Sequence, residues 1–454
     1  MEFLAALTQG FKLALRDPQG AIAHSPAAAS WPSWGQRRHR LPHGLGVRGV
    51  SVDLLAGLDV REWLGLGLRW FHVIVAMGWI GASLYFMWLD ATLAPPSPPR
   101  PGVEGDLWMV HSGGFYRVEK RRLGAGEVPT PLHWFKWEAG LTWLSGASLL
   151  GLVYYTTGGV YLVDPAVSAL TPAAGAALGV GVLAAGWAVY DALWVSPLAA
   201  RRPALTAGLS WALLLGLAWG LCRALSGRGA YIHVGAVMGT VMVANVWMRI
   251  IPAQRQLVAA TQAGQRPDPT LGARAKQRSV HNSYLTFPAI FTMLSHHYPS
   301  TYGHPRSWLV LALLVAVGAG VRHVMIRHEH RGRARWTVAA VAACVLALLY
   351  LTSPAGLGAR GPAAGGHPAT FRVARQIVDS RCVSCHSRAP TDDVFRAAPN
   401  GVAFDTPQSL RAHADAIKAR VLVLRTMPLG NKTGMTDEER VLLGRWVDEG
   451  ARLE

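Results

Sequence analysis

Apolar residues in this chain run in long, nearly charge-free blocks at roughly 63–89, 139–158, 173–197, 204–225, 230–251, 281–298, 308–326 and 335–353. A block of about 20 apolar residues is what an α-helix needs to cross a bilayer. The pattern therefore predicts about eight transmembrane helices. The block at 281–298 differs from the others because it carries Pro288 and several polar residues, which predicts a broken helix or one packed inside protein and leaves seven spans as the alternative. Tryptophans near block ends (Trp63, Trp88, Trp134, Trp194, Trp247, Trp308 and Trp336) read as an aromatic belt at the membrane interface. After Thr352 the blocks give way to SPAGLGARGPAAGGHPA, a stretch without periodicity that behaves as a tether. From Thr370 onward no run is long enough to span. There Thr436 stands three residues before Glu439, a capping box, with Val441, Leu442, Trp446 and Val447 at helical spacing behind it. The predicted fold is all-α: a polytopic membrane bundle over 61–353, a linker at 354–369 and a small helical module over 370–454. Residues 1–60 precede it as an extension.

Composition agrees with the bilayer as solvent. Hydrophobic residues make up 51% and charged residues 15%, far from the roughly 25% charge of soluble domains. A net charge of +18 would suit nucleic acid, but the basic residues fall in short clusters between apolar blocks, which is a topology signal. No nucleic-acid partner is expected; membrane lipid is. Four cysteines are too few for a disulfide framework. Two of them stand together as Cys382-Val383-Ser384-Cys385-His386, the C-x-x-C-H of covalent haem c attachment: both thiols add to the haem vinyl groups and His386 ligates iron. Met427, in a Thr-Met-Pro-Leu-Gly loop, is the expected sixth ligand, with Met435 as its rival. This module resembles the small monohaem cytochrome c family over Thr370 to Glu454, on the strength of CVSCH and the Met-Pro loop.

Haem attachment of that kind implies the outer face of a bacterial inner membrane, so the module is expected in the periplasm. With eight spans, the connections rich in Arg and Lys (Arg100 to Lys136, Arg201 and Arg202, Arg255 to Arg278, Arg331 to Arg335) fall in the cytoplasm, and Arg228 and Arg306 fall outside. Residues 1–62 disagree, because Lys12, Arg16, Arg37, Arg38, Arg40, Arg48 and Arg61 lie on the side that should be poor in positive charge. A chain start near Val47 or Val50 would remove the conflict.

The stretches RWFHVIVAMGWIGASLYFMWLD (69–90), HSGGFYRVEK (111–120), LHWFKWEAGLTWLSG (132–146), HVGAVMGTVMVANVWMRIIPAQ (233–254) and QRSVHNSYLTFPAIFTMLSHHYP (277–299) resemble the bacterial membrane-anchored urate oxidase family. The resemblance covers about 63–454. It implies oxidation of urate to 5-hydroxyisourate, with electrons passed to the fused cytochrome c and on to a respiratory acceptor, a soluble cytochrome or terminal oxidase, and without hydrogen peroxide. Urate itself comes from the resemblance alone.

The residues can still say where such chemistry fits. Asp90, His111, Lys136, Glu138, His281 and Asn282 lie at or beside cytoplasmic helix ends, and a carboxylate or imidazole near membrane depth is costly enough to be a functional candidate. They are the expected catalytic set, with His281, Glu138 or Asp90 as the base. On the opposite side His72, His233 and His296 or His297 lie at matching depth, where imidazoles on different helices could ligate a b-type haem. Two other functions compete: a non-catalytic, membrane-anchored cytochrome c subunit of a quinol-linked complex, and a transporter with a redox sensor. The long polar connection between the first two blocks favours the enzyme, because an anchor has no use for it.

Overall fold

The structure is a computed structural model that describes residues 59–353, apart from 125 and 331, and residues 369–454. The extension at 1–60, save its last two residues, and the linker at 354–369, save Ala369, lie outside the described residues, and so does the expected late start. The chain divides into two compact units, Met1–Gly67 and Leu68–Glu454. Of the first, the described part is the beginning of helix α1, whose amides of Arg61 and Glu62 are capped by the Asp59 carboxylate.

The chain is mostly helical. Helix α1 (Val60–Thr92) leads to a β-hairpin, β1 (Val103–His111) and β2 (Gly114–Arg121). Then come α2 (Trp137–Leu150), closed by a π turn at Gly151–Tyr155, α3 (Pro172–Val195), α4 (Pro203–Ala224) and α5 (Gly227–Ala244). A second π turn, Asn245–Ile250, carries α5 into α6 (Ile251–Gln262); α7 (Pro269–Leu294), α8 (Ser307–Glu329) and α9 (Arg335–Thr352) complete the set. Side-chain caps set several starts: Thr171 accepts from Ala174 N–H, Ser226 from Gly229 N–H and Asp268 from Thr270 N–H, each satisfying a donor that has no partner within the helix.

Six helices among the described residues, not eight, are long and apolar enough to cross a membrane: α1, α3, α4, the continuous Gly227–Gln262, α8 and α9. The expected spans at 139–158 and 281–298 are helical but fall outside this group. The first is split between α2 and its π turn, and the second is part of α7, whose first half carries Arg274, Lys276, Arg278, His281 and Asn282. Helix α7 is continuous through Pro288, because Gly318 on α8 leaves room: a Cβ there would lie 2.9 Å from the proline ring. The all-α expectation is corrected by the hairpin. Its strands are joined by Ser112 and Gly113, both at positive φ, the geometry that matches the twist of a two-residue turn. Opposite charges face one another across it, with Arg117 on Asp106 at 2.6 Å and Arg122 on Glu104 at 2.8 Å.

Helix α5 is the centre of the bundle, packed by α2, α3, α4 and α7; Tyr231, His233 and Val234 on it are wholly buried. The outer surface is apolar instead of polar, with Met77, Val180, Leu205, Leu346 and Leu349 more than half exposed. A surface of that kind suits lipid and not water.

Residues 369–454 form a second small core. Helix α10 (Phe371–Arg381) packs on α13 (Asp437–Asp448), with the short helices α11 (Pro407–Ala412) and α12 (Ala414–Lys418) between them in the chain. The capping box is present, Thr436 accepting from Glu439 N–H at 3.2 Å while Glu439 accepts from Thr436 N–H at 2.8 Å. Trp446 is 1% exposed, packs among Ile377, Val378 and Leu443, and donates its indole N–H to Arg452 O at 2.9 Å. Trp446→Ala is expected to destabilise this module by about 3–5 kcal/mol through the cavity left behind. Limited proteolysis of the full chain should then cut within 369–454 far faster; an unchanged cleavage rate would show that Trp446 does not hold the core.

Candidate functional site

The polar side chains converge where the π turn joins α5 to α6. A π turn inserts one residue into the helix and rotates its neighbours out of register, and such turns recur at functional sites. Here it aims Asn245, Trp247 and Arg249 toward α2, α3 and α7. Asn245 is wholly buried. Its amide donates to the Asn282 side chain at 2.8 Å and to Tyr190 Oη at 3.1 Å, while its oxygen accepts from Arg278 at 3.3 Å. Tyr190 Oη lies 2.8 Å from His281 Nδ1. Asp191, beside it on α3, binds Arg278 at 3.0 Å and is also paired with Arg249. Asn282 closes the network by donating to Met242 O at 2.9 Å. These groups are mutually satisfied, so the network fixes the shape of the π turn and of what is built on it.

What is built on it is less satisfied. The ammonium of Lys136, just ahead of α2, stands 5.7 Å from the ring centres of both Trp137 and Trp247, which meet edge to face at 5.3 Å. Glu138 Oε2 and Trp247 Nε1 are buried and have no hydrogen-bond partner among the described residues. The indole is pressed on Gly140 of α2, where a Cβ would lie 3.2 Å from Nε1. Burying an acceptor or a donor without a partner costs about 1–3 kcal/mol each. A cation, an open carboxylate oxygen and an open N–H therefore share one end of the bundle, walled by indoles.

The structure brings together four of the six expected catalytic residues, Lys136, Glu138, His281 and Asn282, and leaves two outside. Asp90 is engaged on both oxygens, by Lys120 at 2.5 Å and Lys276 at 2.7 Å, so it ties the hairpin and α7 to α1 instead of serving as a free base. His111 is exposed beside the hairpin turn. Sequence reasoning missed Tyr190, Asp191 and Asn245, and read Trp247 and Trp194 only as belt residues. Trp194 is in fact 9% exposed and donates to Ser210 at 3.0 Å. The signal for Asp191 was available, since it is the one acid in its apolar block.

The imidazoles expected to face a b-type haem differ in what they leave open. His233 is wholly buried, with Nδ1 on Gly229 O at 2.7 Å and Nε2 on Tyr155 Oη at 2.9 Å, so neither nitrogen is left for iron. His72 Nδ1 is held by Ser145 at 2.9 Å. His297 is exposed on a short turn, stacked on His296 at 3.9 Å. His233 is thus spent in this arrangement while His72 keeps Nε2, and no step is assigned to a b-type haem.

In the C-terminal module Cys382 and Cys385 are free thiols, and burial pushes the Cys382 thiol up to about 12. His386 Nδ1 lies 2.9 Å from Val402 O, which spends that nitrogen and presents Nε2, the arrangement by which an outer partner orients a metal-binding imidazole. The two methionines part company. Met435 is 3% exposed inside the core, whereas Met427 packs at the core's edge, its carbonyl held by the buried Arg440 guanidinium at 2.6 Å. The loop that carries Met427 rests on the bundle at the Gly227 end of α5: a Cβ on Gly303 would lie 2.5 Å from Thr426 Cγ2, and Tyr161 meets Phe395 edge to face at 6.3 Å.

No curated protein and no solved structure matches the chain. The family model described as "Urate oxidase N-terminal" matches residues 59–353.

Proposed function

The chain belongs to the urate oxidase N-terminal family, and from that premise we propose that it oxidises urate to 5-hydroxyisourate at the Lys136–Glu138–Trp247 end of the bundle. The observation that carries the placement is the pair of unpartnered buried atoms, Glu138 Oε2 and Trp247 Nε1, beside the Lys136 ammonium. Urate at neutral pH is a flat monoanion with N–H donors and carbonyl acceptors. A cation, one acceptor, one donor and indole walls are its complement. Glu138 is the group able to take a proton there, and Lys136 holds the anion by its charge. Counted from its neutral form, urate and water give up two electrons and two protons to form 5-hydroxyisourate; from the monoanion one proton fewer is released.

The acceptor in this reading is the C-terminal module acting as a cytochrome c, with delivery to a respiratory soluble cytochrome or terminal oxidase and no hydrogen peroxide. Cys382 and Cys385 would hold haem c by thioether bonds, and His386 and Met427 would ligate its iron. The fit rests on the free thiols, the spent Nδ1 of His386 and the place of Met427 at the edge of the core. Haem c supplies a one-electron carrier when bound. The protein then sits in a bacterial inner membrane, the urate end cytoplasmic and the C-terminal module periplasmic. The 18 residues of α5 separate the two ends by about 27 Å.

Anaerobic mixing of the oxidised full chain with urate tests this reading. The reduced-cytochrome absorbance should appear promptly, with loss of urate in step, and Met427→Ala should slow or abolish it. A haem that stays oxidised in the presence of urate overturns the proposal and leaves the electron-transfer subunit.

A further inference from the structure

A cavity of about 550 Å³ lies between α3, α4, α5 and α7, on the other side of the Tyr190–His281 pair from the π turn. Its walls are apolar, with Leu214, Val237 and Met238 among them, and two of its residues, Val189 and Leu213, are 51% and 46% exposed on the outer surface of the bundle. Its mouth therefore opens where lipid would lie. Its inner end is polar. His281 lines it, with Nδ1 engaged by Tyr190 at 2.8 Å and Nε2 without a partner among the described residues. The Trp194 ring stands 4.0 Å from the imidazole as a flat wall, its own N–H turned to Ser210.

We infer that this cavity binds a lipid-soluble quinone, its ring against His281 and Tyr190 and its tail toward the mouth. An acyl chain would fill the apolar part but has no use for an open imidazole nitrogen at the closed end; a quinone carbonyl does, since it accepts a hydrogen bond. The inference rests on the urate reading and extends it. The quinone then stands between urate and the C-terminal module: urate, counted in its neutral form, plus water yields 5-hydroxyisourate, two protons and two electrons; the quinone takes both pairs and becomes the quinol, which returns to quinone by passing its electrons singly to that module's one-electron carrier and releasing its protons. The two sites share one network, because Tyr190 is bonded both to His281 and to Asn245, the first residue of the π turn that carries Trp247. A membrane-soluble carrier also suits a two-electron oxidation that sits a helix length away from a one-electron centre.

The test uses detergent-purified full chain and two equilibrium dialyses, one with tritiated decylubiquinone and one with radiolabelled urate. Decylubiquinone should bind saturably, and Ala207→Trp and Val182→Trp, which fill the cavity from two different helices, should each weaken it at least about tenfold with urate binding unchanged. Under anaerobic conditions urate should convert decylubiquinone to its quinol in equal amounts in the wild type and not in the filled variants. Uptake that never saturates, or that is the same in the wild type and both variants, means lipid-like partition and overturns the quinone site. Saturable quinone binding in a chain that does not bind urate keeps the quinone site and overturns the urate reading instead.

Discussion

Replacing Asp191 by alanine is expected to destabilise the membrane domain by about 3–5 kcal/mol, the cost of leaving a buried ion without its partner. Asp191 is 13% exposed and serves two guanidiniums, Arg278 at 5% exposure and Arg249 at 43%. Arg249 can turn outward when the carboxylate is lost; Arg278 is held over Tyr190 at 4.9 Å and by a hydrogen bond to Asn245. The control is Asp90→Ala. That carboxylate is 35% exposed and its lysine partners are 52% and 67% exposed, so its loss should cost no more than about 1 kcal/mol. Detergent-to-SDS unfolding titrations of the two variants measure the contrast. Equal midpoints would mean that the Asp191 network is no better shielded than the surface pair.

On the reading proposed above, Glu138→Gln is expected to lower urate turnover by about 10²–10⁴, the usual contribution of a positioned acid or base, while leaving the fold of the C-terminal module intact. Glutamine keeps the volume and the hydrogen-bonding shape but cannot take a proton at neutral pH. Lys136→Met should act differently, raising KM more than it lowers kcat, because a cation that recognises the anion contributes to ground-state binding as well. The measurement is steady-state urate consumption with an external electron acceptor. Turnover in Glu138→Gln within about threefold of wild type would remove it as the proton acceptor.

The architecture was legible where composition carried it. Six of the eight apolar blocks are membrane-length helices, because bilayer thickness fixes their length and hydrocarbon fixes their residue types. The block at 281–298 had announced itself through Pro288 and its polar residues, and it is the helix that carries the site. The hairpin was hidden because its strands mix apolar and charged residues, although a Ser-Gly pair between two alternating runs was there to be read. The candidate site was half legible. Lys136, Glu138, His281 and Asn282 stood out as polar groups beside apolar runs. Tyr190, Asp191 and Asn245 did not, since each sits inside a run and takes on the character of its neighbours. The π turn left no mark at all: shifting a helix from i→i−4 to i→i−5 bonding changes register and not composition. Trp194 and Trp247 show the same limit, because an indole at a helix end reads as interfacial whether it faces lipid or protein.

Asp90 ties three elements together by exposed charges: α1 through its own position, β2 through Lys120 and α7 through Lys276. Exposed pairs are screened by dissolved ions, with a Debye length of about 10 Å at 0.1 M. Beside this clasp Arg100, Arg117 and Arg122 are themselves paired with Asp106, Glu119 and Glu104, so the whole hairpin edge is held by ion pairs. Ionic strength therefore works on the tie itself, slackening the hold between hairpin and helices as salt rises. Salt thus sets how firmly the hairpin is held, while the better shielded Asp191 network is screened far less.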